Sequence, residues 1–344
     1  MYRLPRVAAD CGLTDAARHV FLISLEVETN SDTPDASTVA VPRSHISLVL
    51  NSRSGLKSAK GDVSSWVRES LASNGVDAQI LVAEQGAQLQ ELARHAVQEH
   101  SELVIAAGGD GTVSAVAAQL VGTGIPMGVL PLGTLNHFAK ELGIPSDRDA
   151  AMRTLLAGEV GRVDVGEVNG RVFVNNSSLG LYPWLVAERE KGQQKGQSKW
   201  TASAQAALSV LRRYPFLDVT LTVDGRELRY RTPLVFIGNN RYSMEAFRIG
   251  ARESLTGGEL CLFVATRGRR QDLLKLALGT LLGRASKACE LQTVAARDLR
   301  IQTRRKRVRV ALDGEVTWME SPLHYRTRPG ALQVIVPAGE ARAA

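Results

Sequence analysis

Between residues 106 and 117 the chain reads AAGGDGTVSAVA, with three glycines, one aspartate and one threonine directly after the apolar, strand-like run LVIAA (103–107). Gly108, Gly109 and Gly111 carry no side chains, so the backbone can approach an anion closely. A helix opening just behind them would turn free N–H groups and its positive end toward that anion. Thr112 adds a hydroxyl donor. Asp110 would repel a phosphate unless a cation stood between them, which makes it a candidate ligand for Mg²⁺. The run lacks the Gly-Lys-Ser/Thr ending of a P-loop and is not the GxGxxG of a dinucleotide turn. Taken alone, the same letters also suit a tight turn with a helix cap. Two further segments share the texture: NSRSG (51–55) after ISLVLN, and PLGTLNHFAKELGIP (131–145) after PMGVL. Three phosphate-suited loops would then converge at one edge of a sheet.

The surrounding pattern supplies that sheet. From Ile46, ISLVLN reads as a strand, followed by a Ser/Gly/Lys loop to Gly61 and a helix DVSSWVRESLAS opened by Asp62. VDAQILVA is a strand, and AQLQELARHAVQEH has the apolar spacing of a helix, near 3.6 residues. LVIAA and PMGVL follow as short strands, each leading into a glycine-bearing loop and a helix. Alternation of this kind implies a parallel sheet with flanking helices, whose ligands lie at the carboxyl ends of the strands. After the hairpin-like RVDVGEVNG (162–170) strands dominate: RVFVNNSS, FLDVTLTVDGRELRY, PLVFIGNN, ELCLFVAT, VRVALDGE and ALQVIVP. VDG at 223–225 is a turn between two of them, and helical patterns interrupt at 200–213 and 270–287. The second half is therefore a β-rich, antiparallel, sandwich-like domain. The boundaries read as an N-terminal extension over 1–45, an α/β domain over 46–163 and a β-rich domain over 164–338. In the extension, SDTPDAST (31–38) has linker composition, while VFLISLEV (20–27) could add a strand.

Composition bounds the function classes. The chain has 344 residues, 44% hydrophobic and 22% charged, enough to bury a sizeable core. No apolar run approaches the roughly 18 residues of a spanning helix, and MYRLPRVAAD lacks the basic-then-apolar order of a secretory signal, so a cytoplasmic location is expected. Cys11, Cys261 and Cys289 are too few and too scattered for a disulfide framework or a zinc site. The net charge is +7, yet residues 267–309 alone hold thirteen Lys/Arg against three Asp/Glu. Such a region suits nucleotide phosphates, nucleic acid or an anionic membrane, and it also suits a plain solvated face.

The three loops, in this order and spacing, resemble the diacylglycerol kinase catalytic-domain family, which includes bacterial lipid kinases and sphingosine kinases. NNSSLGLYP (175–183), FIGNNRY (236–242) and LDGE (312–315) fall where that family has its second-domain motifs, so the resemblance runs from about Ile46 to Pro337. It implies a nucleotide-binding α/β domain, a β-rich lipid-substrate domain and an active site in the cleft between them. It also implies ATP and Mg²⁺ as cofactors. ATP phosphates would be held by Gly108, Gly109, Asp110, Gly111 and Thr112; Asn51 and Gly55 would border the nucleotide, and Gly133, Thr134 and Asn136 would line its other side. Phosphoryl transfer to an alcohol needs a base near the hydroxyl. Asp313 matches the family's general base, and Glu315, two residues on along an extended chain, points to the same side to hold metal or orient the base. Asp164, in VDVG, matches an acidic position near the cleft, so the implied metal ligands are Asp110, Glu315 and Asp164. The implied activity is phosphorylation of the hydroxyl of a membrane lipid such as diacylglycerol, by an enzyme lying peripherally on an anionic membrane, with a homodimer as an option and no nucleic acid as partner.

This chain departs from the family pattern at several points. Ser52 stands where many members have proline, Ser114 where they have asparagine, and His137 where many have aspartate; Gly257 replaces part of an Asp-Gly pair tied to a structural magnesium. Two stretches could meet lipid: RGRRQDLLKLALGTLLGRASK (267–287), with leucines flanked by basic residues, and EREKGQQKGQSKW (188–200). The first is equally a helix packed on the β domain, and the second equally a plain loop. A sphingoid base or another lipid alcohol is an alternative acceptor. NAD phosphorylation would call for an Asn-Glu pair, and the chain contains none. A catalytically silent protein with a basic surface, TRRKRVRV (303–310), is the alternative from another class, although no aromatic platform adjoins that run.

Overall fold

The computed structural model describes residues 44–54, 63–180, 183, 216–245, 248–267 and 290–338. The possible strand at 20–27, the basic stretch 188–200 and the expected helices at 200–213 and 270–287 lie outside these residues. The α/β part then the antiparallel β part expected from the sequence is the architecture observed. In the first part, β1 (Ile46–Asn51), α1 (Val63–Ser73), β2 (Ala78–Ala83), α2 (Gly86–Gln98), β3 (Leu103–Gly108), α3 (Asp110–Leu120), β4 (Met127–Pro131), α4 (His137–Glu141) and α5 (Arg148–Ala157) follow in order. The strands stand as β2-β1-β3-β4, all parallel. β3 is buried at every position, as a strand covered on both faces must be, and this explains its unbroken apolar sequence. One crossover from β1 leads to β2 and the next returns past β1 to β3. The carboxyl ends of β1 and β3 therefore adjoin where the strand order reverses, the usual place for a ligand in such sheets.

The second part comprises β5 (Glu159–Val168), β6 (Arg171–Phe173), β7 (Asn176–Gly180), β8 (Leu217–Val223), β9 (Arg226–Thr232), β10 (Leu234–Asn239), β11 (Tyr242–Glu245), β12 (Arg248–Arg252), β13 (Leu260–Arg267), β14 (Glu290–Ala296), β15 (Asp298–Thr303), β16 (Arg307–Leu312), β17 (Glu315–Glu320) and β18 (Leu323–Val336). One sheet runs β14-β13-β10-β7-β16-β17. It packs on β5, β8, β15 and β18 through Leu179, Val235, Ile237, Leu262 and Val310 on one side and Leu221, Leu299, Ile301 and Tyr325 on the other. Two-residue turns at Asn169-Gly170, Asp224-Gly225 and Asp313-Gly314 all have positive φ at both positions, the I′ geometry that matches strand twist.

One long strand ties the two parts together. The early residues of β18 pair with β15, whereas Val334 pairs in parallel with Met127 of β4. Antiparallel pairing of β18 with β5 spans both, with a register shift between Arg328 and Leu332, next to Gly330 at φ 57°. The parallel strands and the first strands of the β part thus form one ten-stranded sheet. The hairpin of β16 and β17 is thereby held against the α3 side of the first part.

Candidate active site

The three glycine-bearing loops converge as their sequences suggested. At the end of β1, Asn51 Nδ2 donates to Thr112 Oγ1 at 3.1 Å, joining the first loop to the second. Asn51 Oδ1 accepts the Arg53 N–H at 3.1 Å and so closes its own turn. A Cβ at Gly108 would collide with the Thr112 side chain, which lies directly over the strand end. A Cβ at Gly133 would stand 2.5 Å from Gly109 Cα, so the second and third loops touch backbone to backbone. Leu132 N–H donates to Gly108 O at 2.9 Å and locks that contact. α3 begins at Asp110, directly after Gly109, so its amino end lies where the second and third loops meet. The result is a cluster of glycine loops, made largely of backbone, of the kind that suits an anion.

Asp313 sits in the turn between β16 and β17, against the side of α3. Its carboxylate accepts four hydrogen bonds: Oδ1 from Asn175 N at 2.8 Å and Asn176 N at 3.0 Å, Oδ2 from Val174 N at 2.9 Å and Ser114 Oγ at 2.8 Å. Burial pushes its pKa up from the ordinary carboxylate value, and the four donors oppose that rise without cancelling it. Glu315 is exposed, with Oε1 3.5 Å from where a Gly111 Cβ would lie. Gly111 and Ser114, one turn apart, share a face of α3, so both hairpin carboxylates meet the helix that the glycine loop opens. Beside them lies a cavity of about 370 Å³ lined by Ser114, Asp313, Glu315, Gln90, Arg171 and Thr317, among others.

Not every residue singled out in the sequence joins this group. Asn136 is buried, with a left-handed backbone at φ 49°, and its amide is spent on its own loop: Oδ1 accepts Gly133 N–H and Nδ2 donates to Gly133 O. Thr134 and His137 are exposed beside it. Gly55 lies outside the described residues. Asp110 Oδ1 accepts Phe138 N–H at 3.4 Å, which links the glycine loop to α4. Asp164 is 2% exposed, and its oxygens accept Gly258 N–H at 2.7 Å and Gly330 N–H at 2.8 Å, so it ties the loop before β13 to the irregularity in β18. Among the described residues, no group of three or more His, Cys, Asp or Glu is arranged to hold a metal ion. Mg²⁺ commonly takes one or two carboxylates together with substrate phosphates and water, and Asp110 and Glu315 are carboxylates of that chemical kind.

Several residues that the sequence reading passed over complete the arrangement. Arg252 has a 1% exposed side chain and pairs with Glu141 of α4. It also donates to Val174 O at 2.6 Å and to Asn175 Oδ1 at 3.1 Å, behind the amides that hold Asp313. Asn239 Nδ2 donates to the same Val174 O at 2.9 Å. NNSS was recognised as a motif, but its use as a carboxylate-binding run of N–H groups needs the fold to be seen.

Residues 45–168 match the model of the diacylglycerol kinase catalytic domain, and residues 188–336 match that of the YegS C-terminal NAD kinase beta sandwich-like domain. Residues 45–168 thus carry a diacylglycerol kinase catalytic domain. A family relative from Mycobacterium tuberculosis H37Rv named diacylglycerol kinase is 29% identical over 276 residues, covering 78% of this chain and 87% of its own. An uncharacterized protein of Synechocystis is 27% identical over 244 residues, covering 70% of this chain, which spans 56% of that protein's length. Among solved structures, a Bacillus anthracis diacylglycerol kinase has the same fold, with a TM-score of 0.60 at 22% identity over 85% of this chain and 96% of its own.

Proposed function

We propose that this protein is an ATP- and Mg²⁺-dependent lipid kinase that phosphorylates the hydroxyl of a membrane lipid such as diacylglycerol. The observation that carries the reading is one helix, α3, with the glycine cradle at its start and the Asp313 carboxylate on its side one turn later. In this reading the ATP-binding part spans residues 46–163 and the lipid-substrate part 164–338. Gly108, Gly109, Gly111, Thr112 and Gly133 hold the phosphates, with Asn51 setting Thr112 and Asn136 shaping the Gly133 loop. Asp110 and Glu315 hold Mg²⁺, which when bound offsets the charge of the phosphates. Asp164 is a structural tie. The acceptor oxygen attacks the γ-phosphorus, the bond to the β-phosphate oxygen breaks, and the acceptor proton ends on Asp313.

A lipid acceptor implies work at a membrane surface, and the described residues offer one site for it. Trp318 is 53% exposed on the edge strand β17, with the Arg309 guanidinium 4.9 Å from its ring centroid, so an aromatic ring does adjoin the 303–310 run, brought there by strand pairing rather than by nearness in sequence. Arg304, Arg305 and Lys306 in the turn before β16, and Arg307 at its start, are all exposed. An aromatic ring beside clustered cations suits the headgroup layer of an anionic cytoplasmic leaflet, and it would place the protein peripherally there. A sphingoid base in place of diacylglycerol fits the same chemistry. The test is ADP release in a coupled assay with lipid mixed micelles. The expected result is turnover that needs both lipid and Mg²⁺. No ADP release with any lipid alcohol, together with salt-steep DNA binding, would overturn the reading in favour of a basic-surface binder.

A further inference from the structure

We propose that Arg252 is a positioning residue for the transfer, tying the segment that holds Asp313 to the helix that follows the third glycine loop. The inference rests on the kinase reading and deepens it. Asp313 owes three of its hydrogen bonds to the N–H groups of Val174, Asn175 and Asn176, which lead from β6 into β7. Its carboxylate is therefore only as well placed as that segment. The other side of the segment is held in turn. Asn239 Nδ2 and Arg252 Nη1 donate to Val174 O at 2.9 Å and 2.6 Å, and Tyr242 Oη and Asn239 N–H donate to Asn175 O at 3.0 Å and 2.9 Å. Arg252 Nη2 adds a bond to Asn175 Oδ1 at 3.1 Å.

Asn239 and Tyr242 brace the segment from within the β part. Arg252 also reaches across to the α/β part, where its Nε donates to Glu141 Oε2 at 2.9 Å. Glu141 ends α4, and the start of α4 is fastened to the glycine loops. Asp110 Oδ1 accepts Phe138 N–H at 3.4 Å, and Asn136, directly before the helix, accepts Gly133 N–H on its Oδ1 at 3.0 Å. A line of contacts thus runs from the loops suited to phosphate, through α4 and one guanidinium, to the N–H groups that grip Asp313.

Arginine is the side chain this place needs. Its planar fork serves Glu141, Val174 O and Asn175 Oδ1 on different edges at once, which a point donor cannot do. With its side chain 1% exposed, water is not at hand to replace a lost donor. An apolar side chain would fill the same space without the cost of burying a charge, yet it could not hold elements of the two parts at one spacing. That spacing enters the rate, because the attacking and leaving oxygens must lie in line and an offset of about 1 Å can cost 10²-fold.

Three variants of the full chain separate positioning from simple support, read by label transfer from γ-labelled ATP to diacylglycerol in mixed micelles. Arg252→Lys keeps a charge opposite Glu141 but replaces the fork by a point donor. It is expected to lower kcat roughly 10- to 100-fold, with the KM for ATP within about threefold of the parent. Arg252→Met combined with Glu141→Leu leaves no charge stranded, yet gives Val174 and Asn175 no donor in place of the guanidinium. It is expected to be at least as slow as Arg252→Lys even though its stability returns. Adding Arg252→Lys to Asp313→Asn is expected to slow that variant by less than about threefold, since a residue acting through Asp313 has nothing left to position. Parental kcat in Arg252→Lys, recovery of kcat along with stability in the Arg252→Met and Glu141→Leu pair, or losses that multiply in the Asp313→Asn background would each overturn the positioning role while leaving the kinase intact. Absence of label transfer by the unmodified protein to any lipid alcohol would overturn the kinase reading, and the positioning role with it.

Discussion

Replacing Arg252 by methionine tests how the site is supported. Methionine keeps most of the apolar stem and removes every donor. The guanidinium lies 5.8 Å from the Phe138 ring centroid and 5.9 Å from that of Tyr242, so the pocket itself remains filled. Val174 O keeps its bond from Asn239 Nδ2, whereas Asn175 Oδ1 loses the Arg252 donor. The dominant loss is at Glu141, whose side chain is only 16% exposed and would face the interior without its partner. Breaking a buried pair from one side costs about 3–5 kcal/mol. For a domain of this size that corresponds to roughly 2–4 °C of Tm per kcal/mol. Pairing Arg252→Met with Glu141→Leu removes the stranded charge, and at least half of the lost stability should return. Urea denaturation of the two single variants and the double variant supplies the cycle. An Arg252→Met loss below about 1 kcal/mol, or a double variant as unstable as the single, would refute the reasoning, because neither fits a stranded buried charge.

Two further outcomes follow from the same geometry. Burial holds the Asp313 pKa above the ordinary carboxylate value of about 3.9, so kcat/KM should fall on acidification at a higher pH than for an exposed aspartate. The stability sign runs the other way: Asp313's contribution is full below its unfolded pKa and is lost as pH rises through the raised folded value. Urea midpoints across pH 4–7 should show that slope reduced in Asp313→Asn. Gly133→Ala would place a Cβ 2.5 Å from Gly109 Cα and 2.7 Å from Asn136 Oδ1, so ATP affinity measured by titration calorimetry should drop at least tenfold, with a stability loss of about 1–3 kcal/mol.

The parallel half was legible because its signals are local. Unbroken apolar runs, the period-3.6 stripe of α2 and the glycine loops each lie within a dozen residues, and the loops meet because parallel strands end on one side. The β half was legible as antiparallel strands but not in its strand order. Asp313-Gly314 was read for its chemistry, although it is the same turn-forming pair as Asp224-Gly225; it is both a I′ turn and the seat of the carboxylate. Nothing local in ALQVIVP says that its strand returns to Met127 in β4. Contacts across long separations escaped for the same reason: Arg252 meets Glu141 across 111 residues, and Ser114 meets Asp313 across 199. Ser114 was visible only as a departure from a familiar motif. Asn136 was read as a group facing the nucleotide, but its left-handed backbone turns the amide onto Gly133.

We propose that one helix carries ATP phosphates at its start and a base on its side, for transfer to a lipid alcohol. The most direct test is the transfer of label from γ-labelled ATP, with Mg²⁺, to a panel of diacylglycerols, sphingoid bases and other lipid alcohols, using the parent protein and Asp313→Asn. Label is expected in one lipid class and is lost by at least 10²-fold in Asp313→Asn while ATP binding persists. Equal labelling by the two proteins, or no labelled lipid from a parent protein that binds ATP, would contradict it.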